Sequence, residues 1–159
     1  MRRFLPLILF GLLALVLAQR LYAPRVSGVI DSPLIGKPLP DLGIAELPEG
    51  PFIVNFFASW CTPCLLEHET LMQMHKDGIR IVGIAFHDTP EKTADYLKKH
   101  GNPFTTLKDT GGDEAGIAMG ITGVPESFAV DSAGIVRMRH QGPIEDAGVI
   151  DAFRKAMTP

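Results

Sequence analysis

Cysteine is scarce in this sequence: 159 residues contain two, Cys61 and Cys64. Two cysteines exclude a disulfide-stapled scaffold, and a chain of this length buries a core without one. Basic clusters are missing as well. The formal net charge is −3 and both signs are mixed along the chain, so there is no concentrated basic face for nucleic acid. Tryptophan occurs once, as Trp60, directly before Cys61. Internal repeats and low-complexity segments are absent, which leaves one domain of ordinary size.

Long apolar runs are confined to the N-terminus. Arg2 and Arg3 precede an uninterrupted apolar stretch over residues 4–18, the pattern of an export signal. With Gln19 and Arg20 snorkelling toward the interface, residues 4–23 make about 20 residues, enough to cross a bilayer core. Residues 1–23 are therefore read as an uncleaved single-pass anchor, with the positive end in the cytoplasm and the rest exported. Cleavage after Val16-Leu17-Ala18 is the alternative. Residues 24–41 carry Pro24, Gly28, Pro33, Gly36, Pro38 and Pro40 and read as a linker. The folded domain is then residues 42–159.

Within that domain residues 42–47 are expected to form a short first strand. Residues 52–58 are a continuous apolar run suited to a buried central strand. A helix follows to about Lys76, with Pro63 in its first turn. Residues 79–86 read as a strand, and Thr89-Pro90 starts a helix to about His100. Residues 104–107 suggest a short strand, and residues 111–120 two turns of helix. Residues 126–130 and 135–140 form strands joined by the Asp131-Ser132-Ala133-Gly134 turn. Residues 143–157 close the chain as a helix. The order predicts an α/β fold with a central mixed sheet flanked by helices.

Both cysteines lie where the apolar strand meets the first helix. A C-x-x-C at that junction is the signature of a thioredoxin-like redox site. Disulfide exchange needs a thiolate nucleophile and a second thiol to resolve the mixed disulfide. Cys61, at the positive end of the helix dipole, is the expected nucleophile, and Cys64 the resolving thiol. A purely structural bridge is a poor competitor: closing so short a loop contributes about 2 kcal/mol, against about 5 for a loop of about 100 residues. A metal site is the other alternative. No second cysteine pair exists to complete a zinc knuckle, but copper held by Cys61, Cys64 and a distant His stays open. His87-Asp88, after a strand, either lines the site rim or, as the better reading, is a solvated loop, and His140 reads as an ordinary edge-strand residue.

Beyond the C-x-x-C, several stretches resemble the DsbE/CcmG family of cytochrome c maturation. They are Trp60-Cys61-Thr62-Pro63-Cys64 with Glu67 and His68, Gly123-Val124-Pro125-Glu126-Ser127-Phe128, the distal Arg137-Met138-Arg139-His140-Gln141-Gly142, and Leu34 to Pro40. The resemblance covers nearly the whole chain and implies a thioredoxin-like fold behind a membrane anchor. It implies a periplasmic reductant of the haem-binding cysteines of apocytochrome c, acting directly or through a partner thiol protein. A DsbD/CcdA-type membrane protein would re-reduce it, with no cofactor or metal. By this resemblance Pro125 is a cis-proline facing the cysteines, with Val124 offering its backbone to an extended substrate. Trp60 shields the disulfide, and Glu67 and Glu126 match acidic positions near the site. Either becomes a candidate acid for Cys64 if partial burial raises its pKa, the alternative being that both are solvated surface carboxylates. Where cytosolic thioredoxins carry a buried acid on the preceding strand, this chain has Asn55, which transfers no proton. A general TlpA- or ResA-like reductant is the nearest alternative. A copper-binding or apocytochrome-holding module, in which the cysteines do not cycle, is the alternative of a different class.

Overall fold

Phe52–Phe57 form β1, the central strand, and all six of its residues are buried. In this computed structural model, which describes residues 10–15 and 28–158, β1 sits in the middle of a five-stranded sheet. On one side it pairs in parallel with β2 (Arg80–Ala85), which pairs in parallel with β3 (Thr106–Lys108). On the other it pairs antiparallel with β4 (Glu126–Val130), itself antiparallel to β5 (Val136–Gln141). The sheet is mixed, as the order of elements implied. A strand buried on both faces needs apolar side chains at every position, and Asn55 is the exception in β1.

Alternation along β1 divides the core. Ile53 and Phe57 face one side with Leu71 and Met74 of α1 (Thr62–Lys76), Tyr96 and Leu97 of α2 (Pro90–His100), and Phe153 of α4 (Ala147–Met157). Val54 and Phe56 face the other, with Ala115 and Met119 of α3 (Gly112–Met119). Asn55 shares the parity of Ile53 and Phe57, so it points beneath α1.

The local signals explain the boundaries. Thr89 caps α2 by accepting from the Lys92 N–H, and Pro90 follows it. The last helix starts later than residue 143, at Ala147, because Asp146 caps it by accepting from the Gly148 N–H. The strand expected over residues 42–47 does not form. Asp41 accepts from the Gly43 N–H, and Gly43 takes a left-handed φ of 62°, which turns the chain out of extension. Leu42 is buried against the second core face all the same.

The proline-rich stretch before it lies along β5. Ile30 N–H donates to Arg139 O, Gly36 N–H to Val136 O and Leu39 N–H to Gly134 O, while Val136 N–H donates to Lys37 O. The edge of the sheet is thereby covered. Residues 10–15 are helical and exposed; the rest of the expected anchor lies outside the described residues. Among the described residues no helix is long and apolar enough to cross a membrane.

Candidate active site

Cys61 ends the β1–α1 connection and caps α1. Its backbone is extended, and its Sγ accepts the Cys64 N–H at 3.1 Å. Pro63 occupies the first turn, where a missing N–H leaves no gap. The two cysteines form a disulfide with Cα atoms 5.3 Å apart. Cys61 sits at the helix N-terminus, where the dipole stabilises a thiolate. Both sulfurs are nearly covered, while the neighbouring Trp60 is 59% exposed. The site therefore presents an apolar surface with the disulfide just beneath it.

The segment carrying Trp60 is tied to the β2–α2 loop. Asp88 accepts from the Ser59 N–H at 2.6 Å, from the Ser59 hydroxyl at 3.0 Å and from the Thr89 N–H at 2.9 Å. The Trp60 indole N–H donates to the His87 carbonyl at 2.9 Å. His87 has a φ of 49°, unusual for a residue with a side chain, and Asp113 accepts from its N–H. The sequence reading of His87-Asp88 as solvated loop is thus corrected, since Asp88 fixes the strand-to-motif connection. No local pattern signals this, because the partners are 29 residues apart.

Val124 and Pro125 lie opposite the cysteines. The Val124–Pro125 bond is cis, and the Val124 carbonyl oxygen is 3.6 Å from Cys61 Sγ. Glu126 begins β4 directly after them. It is fully buried and paired with Arg139, whose Nε donates to Oε2 at 2.8 Å and whose Nη2 lies 2.6 Å from the same atom. Its Oε1 accepts from the Thr122 N–H, the Thr122 hydroxyl and the Gly123 N–H. Arg139 also donates to the Gly120 carbonyl. Glu126 thus pins the loop that presents Val124 and Pro125, and both its oxygens are engaged away from Cys64. Arg139 was singled out only as part of a motif; it is the ion partner this loop depends on.

Glu67 is in a different situation. It lies one helical turn after Cys64, on the same face of α1, and is fully buried. Oε1 accepts from Asn55 Nδ2 at 2.8 Å, and Oε2 from the Ile144 N–H at 2.9 Å. Burial pushes its pKa up from 4.5 to about 7. Those two hydrogen bonds oppose the rise, and the nearby Glu145 charge adds to it. A carboxyl poised near neutrality, one turn along the helix from Cys64, has a pKa suited to accepting and returning a proton. The burial of Tyr96, and next the Glu67 charge, push the phenol up to about 12. Asn55 also donates to Ser127 Oγ at 2.9 Å. The two candidate acids therefore separate, one holding a loop and one buried on α1 a turn after Cys64. Among the described residues no group of three or more His, Cys, Asp or Glu is arranged to hold a metal.

Comparison with known proteins agrees with this geometry. Residues 22–153 match the Redoxin family model. The thiol:disulfide interchange protein HelX of Rhodobacter capsulatus is 40% identical over 116 residues, 72% of this chain and 64% of that protein. The thiol:disulfide interchange protein DsbE of Escherichia coli K12 is 34% identical over 157 residues, 88% of this chain and 84% of that protein. A crystal structure of a thioredoxin-family thiol:disulfide interchange protein from Chlorobium tepidum TLS superposes with a TM-score of 0.59 at 31% identity. That superposition covers 69% of this chain and 81% of the other.

Proposed function

The chain belongs to the Redoxin family, among the DsbE- and HelX-like thiol:disulfide interchange proteins, and is a thiol–disulfide oxidoreductase with a thioredoxin-like fold; from that premise we propose that it reduces protein disulfides for cytochrome c maturation. The substrate is the haem-binding cysteine pair of apocytochrome c, or a partner thiol protein that passes electrons to it. The observation that carries this reading is the pairing of a helix-capping Cys61 with a buried Glu67 one turn beyond Cys64.

The reaction follows from that arrangement. The reduced Cys61 thiolate attacks one sulfur of the substrate disulfide, forming a mixed disulfide and releasing a substrate thiolate. The Cys64 thiol then gives its proton to Glu67 and attacks Cys61 Sγ. The mixed disulfide breaks, the second substrate thiolate leaves, and the Cys61–Cys64 disulfide remains. Two electrons have passed to the substrate. Val124 offers its carbonyl beside Cys61 to the bound peptide, and the exposed Trp60 covers the approach. A membrane dithiol donor of the DsbD/CcdA type returns the pair to the reduced state.

The same proposal assigns the protein to the bacterial inner membrane. It is held there by one pass through residues 1–23, with the domain in the periplasm. The basic Arg2-Arg3 and the apolar run over residues 4–18 support this.

A trapping experiment tests the reading. Cys64→Ser leaves the attacking thiol without its resolving partner. Mixed with an oxidised peptide bearing a C-x-x-C-H segment, it should accumulate a mixed disulfide through Cys61, detectable by mass. Capture of unrelated oxidised peptides equally well would give the reaction to a general reductant. No capture of either would overturn the reductase reading.

A further inference from the structure

Asn55 is the polar residue that β1 buries beneath the redox helix, and half of its amide has no partner. Both Nδ2 hydrogens are used, one by Glu67 Oε1 at 2.8 Å and one by Ser127 Oγ at 2.9 Å. Oδ1 is buried and accepts nothing. Such an amide suits an ionised neighbour, since it offers the carboxylate a donor. It does not suit a protonated one. Glu67 Oε2 already accepts from the Ile144 backbone N–H, so an added proton belongs on Oε1. There it would meet the Asn55 NH2, donor against donor.

We propose that the Asn55 amide turns over as Glu67 gains or loses its proton, making Asn55 and Ser127 positioning residues for proton transfer at Cys64. A half-turn about the terminal side-chain bond exchanges Oδ1 with Nδ2. The Glu67 O–H then finds an acceptor where the amide had offered a donor. Ser127 follows without moving, because a hydroxyl donates or accepts by rotating its hydrogen. It lies directly across from Asn55 in the β1–β4 register, so no backbone shift is needed. Each state leaves one amide atom bare, Oδ1 with the carboxylate and Nδ2 with the acid. Both protonation states of Glu67 are thereby served by one side chain. An aspartate at position 55 would instead set a second carboxyl against Glu67.

Three other titratable groups surround Glu67. Tyr96, from α2, stays a neutral phenol with its pKa pushed up to about 12. His68, next along α1, accepts from the Tyr96 hydroxyl at Nδ1 and donates to the Gly101 carbonyl from Nε2; burial lowers its pKa, which favours the neutral ring. Glu145, before α4, adds a negative charge that favours the protonated form of Glu67. Cys64 is held in the disulfide.

This inference rests on the assignment of Glu67 as the acid for Cys64, and the test separates the two. The oxidised full chain in detergent micelles is labelled with 15N asparagine and 13C glutamate. Only Asn55 and Asn102 contribute side-chain amide signals. The Asn55 amide signals should shift with the same pH midpoint as the Glu67 carboxyl carbon, while Asn102 does not follow. The Overhauser contact from Asn55 Nδ2 hydrogens to the Ser127 β hydrogens should be present above that midpoint and lost below it. Glu67 titrating beneath an unchanging amide would overturn the rotation and leave the acid assignment standing. A Glu67 that does not titrate between about pH 5 and about pH 9 would overturn both. In Asn55→Leu the carboxylate loses its donor, so the midpoints of Glu67 and of the Cys64 resolving step should rise together by about one pH unit. An unmoved resolving-step profile would remove Asn55 from the positioning role, and the wild-type titration stands whether or not that variant folds.

Discussion

Glu67→Gln is the perturbation whose size the structure fixes most directly. Burial raises the Glu67 pKa from 4.5 to about 7. At about 1.4 kcal/mol per pH unit, keeping the ionised form in the fold costs about 3 kcal/mol. Below pH 4.5 the group is protonated whether the chain is folded or not, and it contributes nothing. Between 4.5 and about 7 the folded chain holds a proton that the unfolded chain has released, so stability falls as pH rises. Above that window the full penalty applies. Glutamine keeps the volume and has no charge to bury. Urea unfolding of the oxidised protein at about pH 4.5 and about pH 8.5 should therefore show the variant gaining about 3 kcal/mol on the wild type between the two conditions. His68 and His140, whose pKa values burial lowers, act in the opposite sense. They are common to both proteins and cancel in the comparison. The same variant lacks the acid proposed for Cys64, so resolution of a trapped mixed disulfide at neutral pH should slow about 100-fold. A stability gain below about 1 kcal/mol, or an unchanged resolution rate, would refute the reasoning.

Five other substitutions probe the frame around the site. Arg139→Met leaves Glu126 buried without its ion partner and should cost about 3–5 kcal/mol in urea unfolding, most of it recovered when Glu126→Gln is added; a single variant as stable as the parent would show the pair to be idle. Glu126→Gln alone should weaken the 120–125 loop yet leave the pH dependence of mixed-disulfide resolution in place, and loss of that dependence would return the acid role to Glu126. Asp88→Ala removes the acceptor for the Ser59 N–H and hydroxyl; a loss of about 1–3 kcal/mol should come with a changed Trp60 emission in the oxidised protein, and identical emission would count against the clamp. Gly112→Ala drives a Cβ into the Ala85 carbonyl and should lower stability by about 1–3 kcal/mol, whereas Gly123→Ala meets nothing nearby and should stay within about 0.5 kcal/mol.

The sequence was informative wherever the deciding interaction was local. The apolar run of β1, the Thr89-Pro90 start of α2 and the C-x-x-C at the head of α1 are written within a few residues of each other. Residues 42–47 misled because Leu42 and Ile44 are spaced two apart, as in a strand, while the Asp41–Gly43 turn decides the backbone. The prolines before them rule out regular elements, but say nothing of the hydrogen bonds that run from residues 30–39 to β5. The two acids could not be told apart by type. What separates them is tertiary: the Ile144 N–H that meets Glu67 is 77 residues away, and the Arg139 that pairs with Glu126 comes from the neighbouring strand. The Asp88 contact to Ser59, across 29 residues, was hidden for the same reason.

Asn55 shows why such distances matter for function. Read as a residue type, an asparagine in a buried strand is a lost acid, a position where proton transfer has been given up. Read in place, it lies across the sheet from Ser127 and donates to Glu67, so the buried carboxyl it serves stands on the helix that carries the cysteines. On the helix the carboxyl keeps a fixed one-turn relation to Cys64, set by helical geometry. The strand is then free to supply an amide, which stays neutral and can donate to or accept from the carboxyl as its charge changes. A carboxyl on the strand and another on the helix would hinder each other's ionisation.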